Sequence, residues 1–429
     1  MTGFRAAAAE VDLLAPVGSW LSGFALRVSP SDGQHDALMA RALLLHDGAQ
    51  ALLIITLDII GMTTRDAAEL RTRIGAAAGI PAHAVVLACS HTHSAPATMP
   101  FRGVLGYLNV TWWEQAKAAI VALAAALPRK LREARLRIAS TQVIGISYNR
   151  QDRARPIDTE LLVLAVEGVR GGTIATAANF AVHPVTLSHG NLKLSGDVPG
   201  EVSRQLAAAT GGIGLYLQGA CGDVNPSIDL KRGWGNGTFA DVAAMGRRLS
   251  DAALRALKTA EPMRAVRLRS ADMTTALPLD RAPSLKRLDG MLAQFQERLD
   301  KARAVGDMAE QGFALSFMRW SAEVRAAMVT KTLPRVQPLT MWTASINDLR
   351  LLAVPLEPYS DIALGFKRAV LPEPGCVVGY ANGLIGYCAS DWAKAQGGYG
   401  PDEASRWFPE QLLPIGRGAV DQIVRAATR

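Results

Sequence analysis

Residues 84–97 read Ala-Val-Val-Leu-Ala-Cys-Ser-His-Thr-His-Ser-Ala-Pro-Ala, an apolar run that ends in two histidines. A short apolar run followed by small and turn-forming residues is typical of a buried strand. Side chains alternate in direction along a strand, so His91 and His93 would point to the same side. This stretch therefore predicts two imidazoles at the point where a buried strand breaks into a loop.

A second pair of histidines follows a second strand-like run. Residues 174–182 are mostly apolar, and His183 and His189 come soon after them. The two pairs together contain four of the seven histidines in the chain. A single histidine is most often an ordinary core residue, but imidazoles grouped at strand ends sit on a rigid scaffold and are typical of a metal site. We therefore predict that both loops contribute to one metal centre.

The composition is that of a soluble globular enzyme, with 49% hydrophobic and 20% charged residues in a chain of 429. The net charge is +8, but the basic residues are scattered and no basic patch is interleaved with aromatics, so we expect no nucleic-acid partner. No apolar segment reaches the roughly 18–20 residues that span a bilayer, and the N-terminus has no apolar signal core. We expect a cytoplasmic protein without a transmembrane segment; the sequence leaves its oligomeric state open.

The order of the apolar runs predicts an α/β fold. Two runs joined by Asp47-Gly48 predict a β-hairpin, and residues 160–166 predict a further strand. Residues 63–78 have helical periodicity, and the alanine-rich residues 113–135 predict one long helix. This alternation of helices and strands indicates a mixed β-sheet core flanked by helices.

Residues 283–332 differ in composition from the rest and predict a helical-hairpin insertion. Two amphipathic stretches, 285–304 and 308–330, are separated by a turn near Gly306. Such helices are most often scaffolding, with a lid over the active site as the alternative. We expect one catalytic domain over residues 1–429 that carries this insertion.

Two glycine-containing segments follow the second histidine loop. Residues 195–201 read Ser-Gly-Asp-Val-Pro-Gly-Glu, a tight turn into a helix. Residues 218–226 read Gln-Gly-Ala-Cys-Gly-Asp-Val-Asn-Pro, a loop after a short buried strand. Small residues at strand ends allow the backbone to approach a ligand closely. Asp197 and Asp223 could orient a histidine N–H or the loop backbone, or could simply cap turns.

At these residues the chain resembles the neutral/alkaline (non-lysosomal) ceramidase family. That family has a Thr-His-Thr-His-Ser-Gly-Pro loop, a strand ending in Ala-Val-His, a Ser-Gly-Asp turn and a Gly-Asp-Val-Ser-Pro loop. The resemblance continues in order from about residue 18 to about residue 425, through Gly33-Gln-His, Asn149-Arg150, Pro355-Leu-Glu357 and Ala381-Asn382. It implies the catalytic N-terminal domain of that family, in a short relative without a leader or the C-terminal β-domain.

The resemblance also implies roles for individual residues. The implied ligands of a zinc ion (Zn2+) are His91, His183, Glu357 and Tyr387. The residues implied to bind or polarise the scissile carbonyl are His93, Arg150 and Tyr399. Two imidazoles, a carboxylate and a phenolic oxygen are a donor set that suits zinc.

The sequence departs from the family at Asn225, which stands where the family has serine. We therefore expect no serine nucleophile in this loop, since Ser227 is two residues away. The resulting hypothesis is an amidohydrolase acting on linear amides, in which zinc-bound hydroxide cleaves the amide bond of a small N-acyl compound. The alternatives are a zinc-dependent esterase or lactonase on the same scaffold, and a non-catalytic binding protein that retains the fold.

The aromatic-rich loop of residues 99–113 is a candidate for substrate contact. It contains Met99, Phe101, Leu105, Tyr107, Trp112 and Trp113. These side chains could form an apolar wall for an acyl or aryl group, or could pack the loop onto the following helix.

Overall fold

The computed structural model describes residues 3–103 and 105–428. In chain order the strands are β1 (Arg5–Asp12), β2 (Gly33–Gln34), β3 (Met39–His46), β4 (Ala51–Leu57), β5 (Val85–Cys89), β6 (Arg132–Gln142), β7 (Ser147–Asn149), β8 (Glu160–Gly168), β9 (Thr173–Phe180), β10 (Lys193–Leu194), β11 (Ile213–Gln218), β12 (Val224–Pro226), β13 (Leu268–Pro278), β14 (Val336–Ile346), β15 (Leu349–Ala353), β16 (Glu357–Pro358), β17 (Gly375–Val378) and β18 (Tyr387–Cys388). The helices are α1 (Thr64–Ala78), α2 (Val110–Ala126), α3 (Asp197–Thr210), α4 (Asp229–Arg232), α5 (Phe239–Leu257), α6 (Leu285–Val305), α7 (Met308–Val329), α8 (Ser360–Ala369), α9 (Asp391–Gln396) and α10 (Ala419–Ala427).

Eight strands form a curled mixed sheet in the order β11-β9-β8-β6-β1-β3-β4-β5. The inner pairs are antiparallel, whereas the outermost pairs, β9–β11 and β4–β5, are parallel. The curl brings the edge strands β5 and β11 close enough for Cα atoms to lie within 8 Å of each other. The chain after β17 joins these edges, because Gly379 N–H donates to the Gln218 carbonyl (2.9 Å) and Cys89 N–H donates to the Tyr380 carbonyl (3.1 Å). The strands that precede the two histidine loops therefore end near each other.

Strands β3, β4, β5, β8, β9 and β11 of this sheet are buried on both faces. In β8, Leu161 and Val163 pack toward α3 and α5, whereas Leu162 and Leu164 pack toward a second sheet with the order β13-β14-β15-β17. Helices α1 and α2 extend the outer helical layer, and α8 and α10 cover the far face of the second sheet. A strand buried on both faces is apolar at successive positions, which explains the continuous run at residues 160–166. The predicted α/β class, with a mixed sheet flanked by helices, is confirmed.

The helix predicted over residues 113–135 is wrong at its C-terminal end. Helix α2 stops at Ala126, and the extended strand β6 begins at Arg132. Pro128 opens a single 3-10 turn between them, a first-turn position where its missing N–H is not needed. The proline therefore separates two elements that the alanine-rich pattern had joined.

Helices α6 and α7 form the helical hairpin predicted near residues 283–332. The turn at Gly306 has a φ of 70°, which glycine adopts without strain. The hairpin packs on the C-terminal segment, with the Phe317 and Trp407 ring centres 5.4 Å apart. Trp320 Nε1 donates to the Leu412 carbonyl at 2.7 Å. These contacts support scaffolding rather than a swinging lid.

Two further properties concern the helices and the cysteines. None of the described helices is both long and apolar enough to cross a bilayer. The four cysteines are buried and free, in keeping with their lack of Cys-x-x-Cys spacing.

The buried side chain of Arg102 fastens the hairpin and the C-terminal segment to the loop that follows the histidines. Its Nε donates to Glu323 on α7 at 2.7 Å. Its two terminal nitrogens donate to the backbone carbonyls of Ser405, Phe408, Pro409 and Gln411. A guanidinium group offers five N–H donors in a fixed fork, so one side chain can link all of these segments.

We expect Arg102→Ala to lower the free energy of unfolding by about 3 kcal/mol, because it leaves buried carbonyls without a donor. Urea denaturation followed by circular dichroism measures this change. Arg319→Ala is the control, since Arg319 is exposed on α7 and should change stability by no more than about 0.5 kcal/mol. Equal midpoints for the two variants would contradict the role given to Arg102.

Candidate metal centre

Three buried histidine side chains converge where the edges of the large sheet approach each other. His91 and His93 lie in the loop after β5, and His183 lies in the loop after β9. The His93 Nε2 atom is 3.3 Å from Nε2 of His91 and 3.2 Å from Nε2 of His183. One nitrogen of each ring lies within 4.8 Å of the other two, so the group can hold a metal ion. The sequence prediction that both loops contribute to one site is confirmed at this level.

Backbone carbonyls fix the tautomer of two of these rings. His91 Nδ1 lies 2.7 Å from the Ile60 carbonyl oxygen, and His183 Nδ1 lies 3.1 Å from that of Cys221. A carbonyl only accepts, so each ring, when neutral, carries its proton on Nδ1 and presents a lone pair at Nε2. Histidine ligands of metals usually make this contact with their second nitrogen. The two rings are therefore arranged as ligands.

His93 differs from the other two because its Nδ1 has no hydrogen-bond partner among the described residues. The ring packs against Gly23, where a Cβ would lie 2.3 Å from Nδ1, so only glycine fits. Burial, followed by the nearby His91, lowers the pKa of both His93 and His183 well below the usual range. Both rings are thus neutral at pH 7, the state that binds metal.

The histidines converge for a different reason from the strand alternation predicted above. Strand β5 ends at Cys89, and His91 has a φ of +64°, which is uncommon for a residue other than glycine. The His91 ring stacks on Tyr380, with centres 4.0 Å apart, and Tyr380 also has a positive φ of 54°. Strained backbone of this kind is concentrated at functional sites.

Strand register places Glu357 beside Tyr387. The two residues are opposite each other where β16 and β18 pair in parallel. The buried Oε2 of Glu357 lies 3.3 Å from His91 Nε2 but has no aligned hydrogen-bond partner. Burial, followed by the charge of Glu357, raises the pKa of Tyr387 well above its usual range. A buried carboxylate oxygen that faces a ring lone pair fits a site that holds a cation.

Arg150 reaches the same site from the end of β7. Its Nη2 donates to the Gly222 carbonyl at 2.7 Å and to the Tyr387 hydroxyl at 3.1 Å. The guanidinium carbon lies 5.6 Å from the ring centre of Tyr387 and 6.0 Å from that of Tyr399. Among the described residues no carboxylate forms an ion pair with Arg150, so its remaining donors face the site uncommitted.

The two aspartates support loops and do not orient histidines. Asp223 accepts hydrogen bonds from the backbone N–H and hydroxyl of Ser360 (2.8 and 2.9 Å) and from the Asn149 side chain (2.7 Å). Asp197 accepts from two nearby backbone N–H groups. Burial raises the pKa of both carboxyl groups to about 6. The loop-supporting alternative is therefore correct, and the histidine-orienting one is wrong because backbone carbonyls fill that role.

A cavity of about 540 Å³ opens onto this site. It is lined by most of the candidate polar residues, namely His93, Arg150, His183, Asn225, Tyr387 and Tyr399. Two larger depressions, of about 850 and 700 Å³, have no histidine in their walls and lie elsewhere on the surface. The chemistry-bearing residues thus identify the smaller cavity as the candidate active site.

Two other sequence expectations need correction. His189 is exposed and lies outside the histidine group, because the loop after β9 turns away once His183 is placed. Of the candidate wall residues in 99–113, only Leu105 lines the cavity. Trp112 and Trp113 lie in the first turn of α2 and are buried in the core. Packing of the loop is therefore the correct alternative there.

The sequence analysis missed most of the apolar wall of the cavity. Its main members are Phe24, Leu26, Trp234, Phe313, Tyr359 and Trp407. Phe24 follows Gly23, and Trp234 stands between two glycines in residues 233–237. The available sequence signal for this wall was an aromatic residue next to glycines, because that pattern is typical of an aromatic side chain exposed on a loop.

Comparison with known families identifies the family to which the chain belongs. A family model described as neutral/alkaline non-lysosomal ceramidase, N-terminal, matches residues 8–233, more than half of the sequence. The chain belongs to this family. His91, His93, Arg150 and His183 fall within the matched region, whereas the late glutamate and tyrosines lie beyond it. The individual roles of all seven residues remain predictions.

Two solved ceramidase structures share the fold of this family member. The neutral ceramidase from Pseudomonas aeruginosa matches all of this chain over 74% of its own length, with 19% identity and a TM-score of 0.74. A ceramidase complexed with C2 matches all of this chain over 75% of its own length, with 18% identity and a TM-score of 0.72. At such low identities the similarity shows the fold alone.

We expect His183→Ala to lose most of its bound divalent metal, because the variant lacks one of the lone pairs that converge on the site. Elemental analysis after dialysis against metal-free buffer measures the metal content per chain. His189→Ala is the matched control and should keep the wild-type content, since His189 is exposed. Undiminished metal in His183→Ala would mean that the ligand assignment is wrong.

Proposed function

We propose that this ceramidase-family chain is a zinc-dependent hydrolase that cleaves the amide bond of a small N-acyl compound. The observation that carries the proposal is the convergence of imidazole nitrogens and a carboxylate oxygen at one buried point. His91 and His183 direct Nε2 lone pairs there, and the Glu357 oxygen nearby has no donor. Zinc prefers such a mixed nitrogen and oxygen donor set.

Four residues would hold the ion: His91, His183, Glu357 and Tyr387. When bound, zinc supplies Lewis acidity, which polarises a carbonyl and activates water at neutral pH. Tyr387 lines the cavity next to Arg150, whose hydrogen bond and positive charge favour the phenolic oxygen as a donor to a cation. The support for Tyr387 is thus its register with Glu357 and its contact with Arg150.

The remaining polar residues act on the substrate. Hydrolysis adds water to the amide carbonyl carbon and breaks the carbon–nitrogen bond, and the leaving nitrogen takes up a proton. His93 suits that proton transfer, because no carbonyl fixes its tautomer and it lines the cavity. Arg150 and the Tyr399 hydroxyl offer donors to the oxyanion that develops on the carbonyl oxygen.

Asn225 occupies the position where the family has serine, so this position offers no serine nucleophile. Its side chain lines the cavity and donates to Asp229 at 3.0 Å, whereas Ser227 is absent from the cavity wall. An amide nitrogen is not a nucleophile in acyl transfer, so direct attack by water is the route that these residues support.

An activity screen of the metal-loaded protein tests the proposal. The enzyme should release amine from short- and long-chain N-acyl amides, lose activity with a chelator and regain it with added zinc. Esters and lactones with the same acyl groups form the comparison series. Faster ester or lactone cleavage would favour the esterase alternative, and binding without turnover of any substrate would favour a binding protein.

We expect Tyr399→Phe to lower kcat on the order of 100-fold while changing KM little, because its hydroxyl contacts the oxyanion mainly in the transition state. The variant should retain its metal. Tyr387→Phe is the paired comparison and should weaken metal retention first, with activity falling as a consequence. Steady-state kinetics and metal analysis of both variants distinguish these roles, and exchanged phenotypes would reverse the assignment of the two tyrosines.

A further inference from the structure

The residues that line the cavity beside the histidines fall into a polar group and an aromatic group. The polar group includes Arg150, Asn225 and Tyr387, which the proposed function uses. The second group is Phe24, Leu26, Trp234, Phe313 and Trp407, which the proposed function leaves without a role. We name this second group the aromatic compartment.

The rings of the aromatic compartment meet edge to face. The ring centres of Phe24 and Trp234 are 5.8 Å apart at an interplanar angle of 74°, and those of Phe313 and Trp407 are 5.1 Å apart at 68°. Phe24 also contacts the His93 ring at 4.8 Å, so the compartment begins next to the reacting carbonyl. Aromatic edges and faces attract a further ring more strongly than they attract an alkyl chain of the same area.

The helical hairpin supplies a fixed limit to this compartment. Phe313 lies on α7, and the guanidinium carbon of Arg298 is 5.3 Å from the centre of its ring. Arg298 is in turn held by two hydrogen bonds to Glu310, at 2.6 and 3.1 Å. Trp407, whose ring centre is 5.1 Å from that of Phe313, is only 2% exposed. The Phe313 ring thus contacts two side chains that are themselves held in place, so it does not move easily to admit a longer group.

The cavity has a volume of about 540 Å³, which lies in the range of about 300–1,000 Å³ that is usual for small-molecule sites. The amide and the amine half of the substrate take up part of that space beside the polar residues. A single ring with one or two methylenes can occupy the part that the aromatic residues line.

Building on the proposed function, we propose that the acyl half of the substrate is a compact arylacyl group of the phenylacetyl type. The aromatic compartment binds this group, and Phe313 determines the longest acyl group that is accepted. The specificity of the enzyme would then reside in the hairpin, which lies outside the elements that carry the metal ligands.

Coumarin amides of defined acyl groups test this specificity. We expect kcat/KM for the phenylacetyl amide of 7-amino-4-methylcoumarin to exceed that for the octanoyl amide, which has the same number of acyl carbons, and that for the dodecanoyl amide by about tenfold or more. Phe313→Ala should raise the dodecanoyl-to-phenylacetyl ratio by about tenfold or more. Met318→Ala, a partly buried side chain on the same helix that does not line the cavity, is the control and should leave the ratio unchanged.

A binding measurement separates this inference from the proposed function. Trp234 and Trp407 lie in the compartment, so tryptophan fluorescence can report the binding of phenylacetate and dodecanoate without turnover. Preferential phenylacetate binding that Phe313→Ala abolishes, with no amide cleaved, would overturn the hydrolase proposal and leave the compartment assignment correct. Cleavage that favours the dodecanoyl amide, or an equal change for all acyl groups in Phe313→Ala, would overturn the compartment assignment alone. Neither cleavage nor binding would overturn both.

Discussion

The carboxamide of Gln218 joins the two loops on which the histidine group depends. Its Nε2 donates to the carbonyls of Ser90 (3.1 Å) and Val182 (3.0 Å), each one residue before a converging histidine. Its Oε1 accepts from Gly219 N–H at 3.1 Å, so the buried amide uses both ends. A fully satisfied polar group in a low-dielectric interior is rigid, because every alternative arrangement leaves a buried donor or acceptor unpaired. The distance between the loops is thereby held constant.

Five of the thirteen buried side-chain atoms that lack a partner among the described residues belong to residues at or beside the candidate site. They are His93 Nδ1, Gln151 Oε1, Asn225 Oδ1, Glu357 Oε2 and Trp407 Nε1. Leaving a buried polar atom without a partner costs about 1–3 kcal/mol, so such atoms are rare unless a ligand or ion satisfies them. The five at this site are atoms that a bound ion or ligand could satisfy.

In the function proposed above, chemistry and specificity come from different parts of this molecule. The histidines, Glu357 and Arg150 stand at strand ends, where the sheets fix their positions. The aromatic compartment is assembled from an early loop, a glycine-rich loop, the helical hairpin and the C-terminal segment. Loops and insertions tolerate change better than paired strands, so one scaffold can keep its reaction while its substrate changes.

The sequence by itself determined the local elements and the family-like motifs. It located the apolar strand before His91 and the helical hairpin, because each depends on neighbours a few positions away. The resemblance of its motifs to the ceramidase family indicated the polar residues now found around the cavity. It misjudged the end of α2 and His189, and it supplied no way to find Phe24, Trp234, Phe313 and Trp407 as one wall. Those four are separated by up to several hundred residues, and only the curl of the large sheet and the packing of the hairpin bring them together. Local patterns record which face of an element is buried; the burial of that face against a distant segment is decided by the tertiary fold.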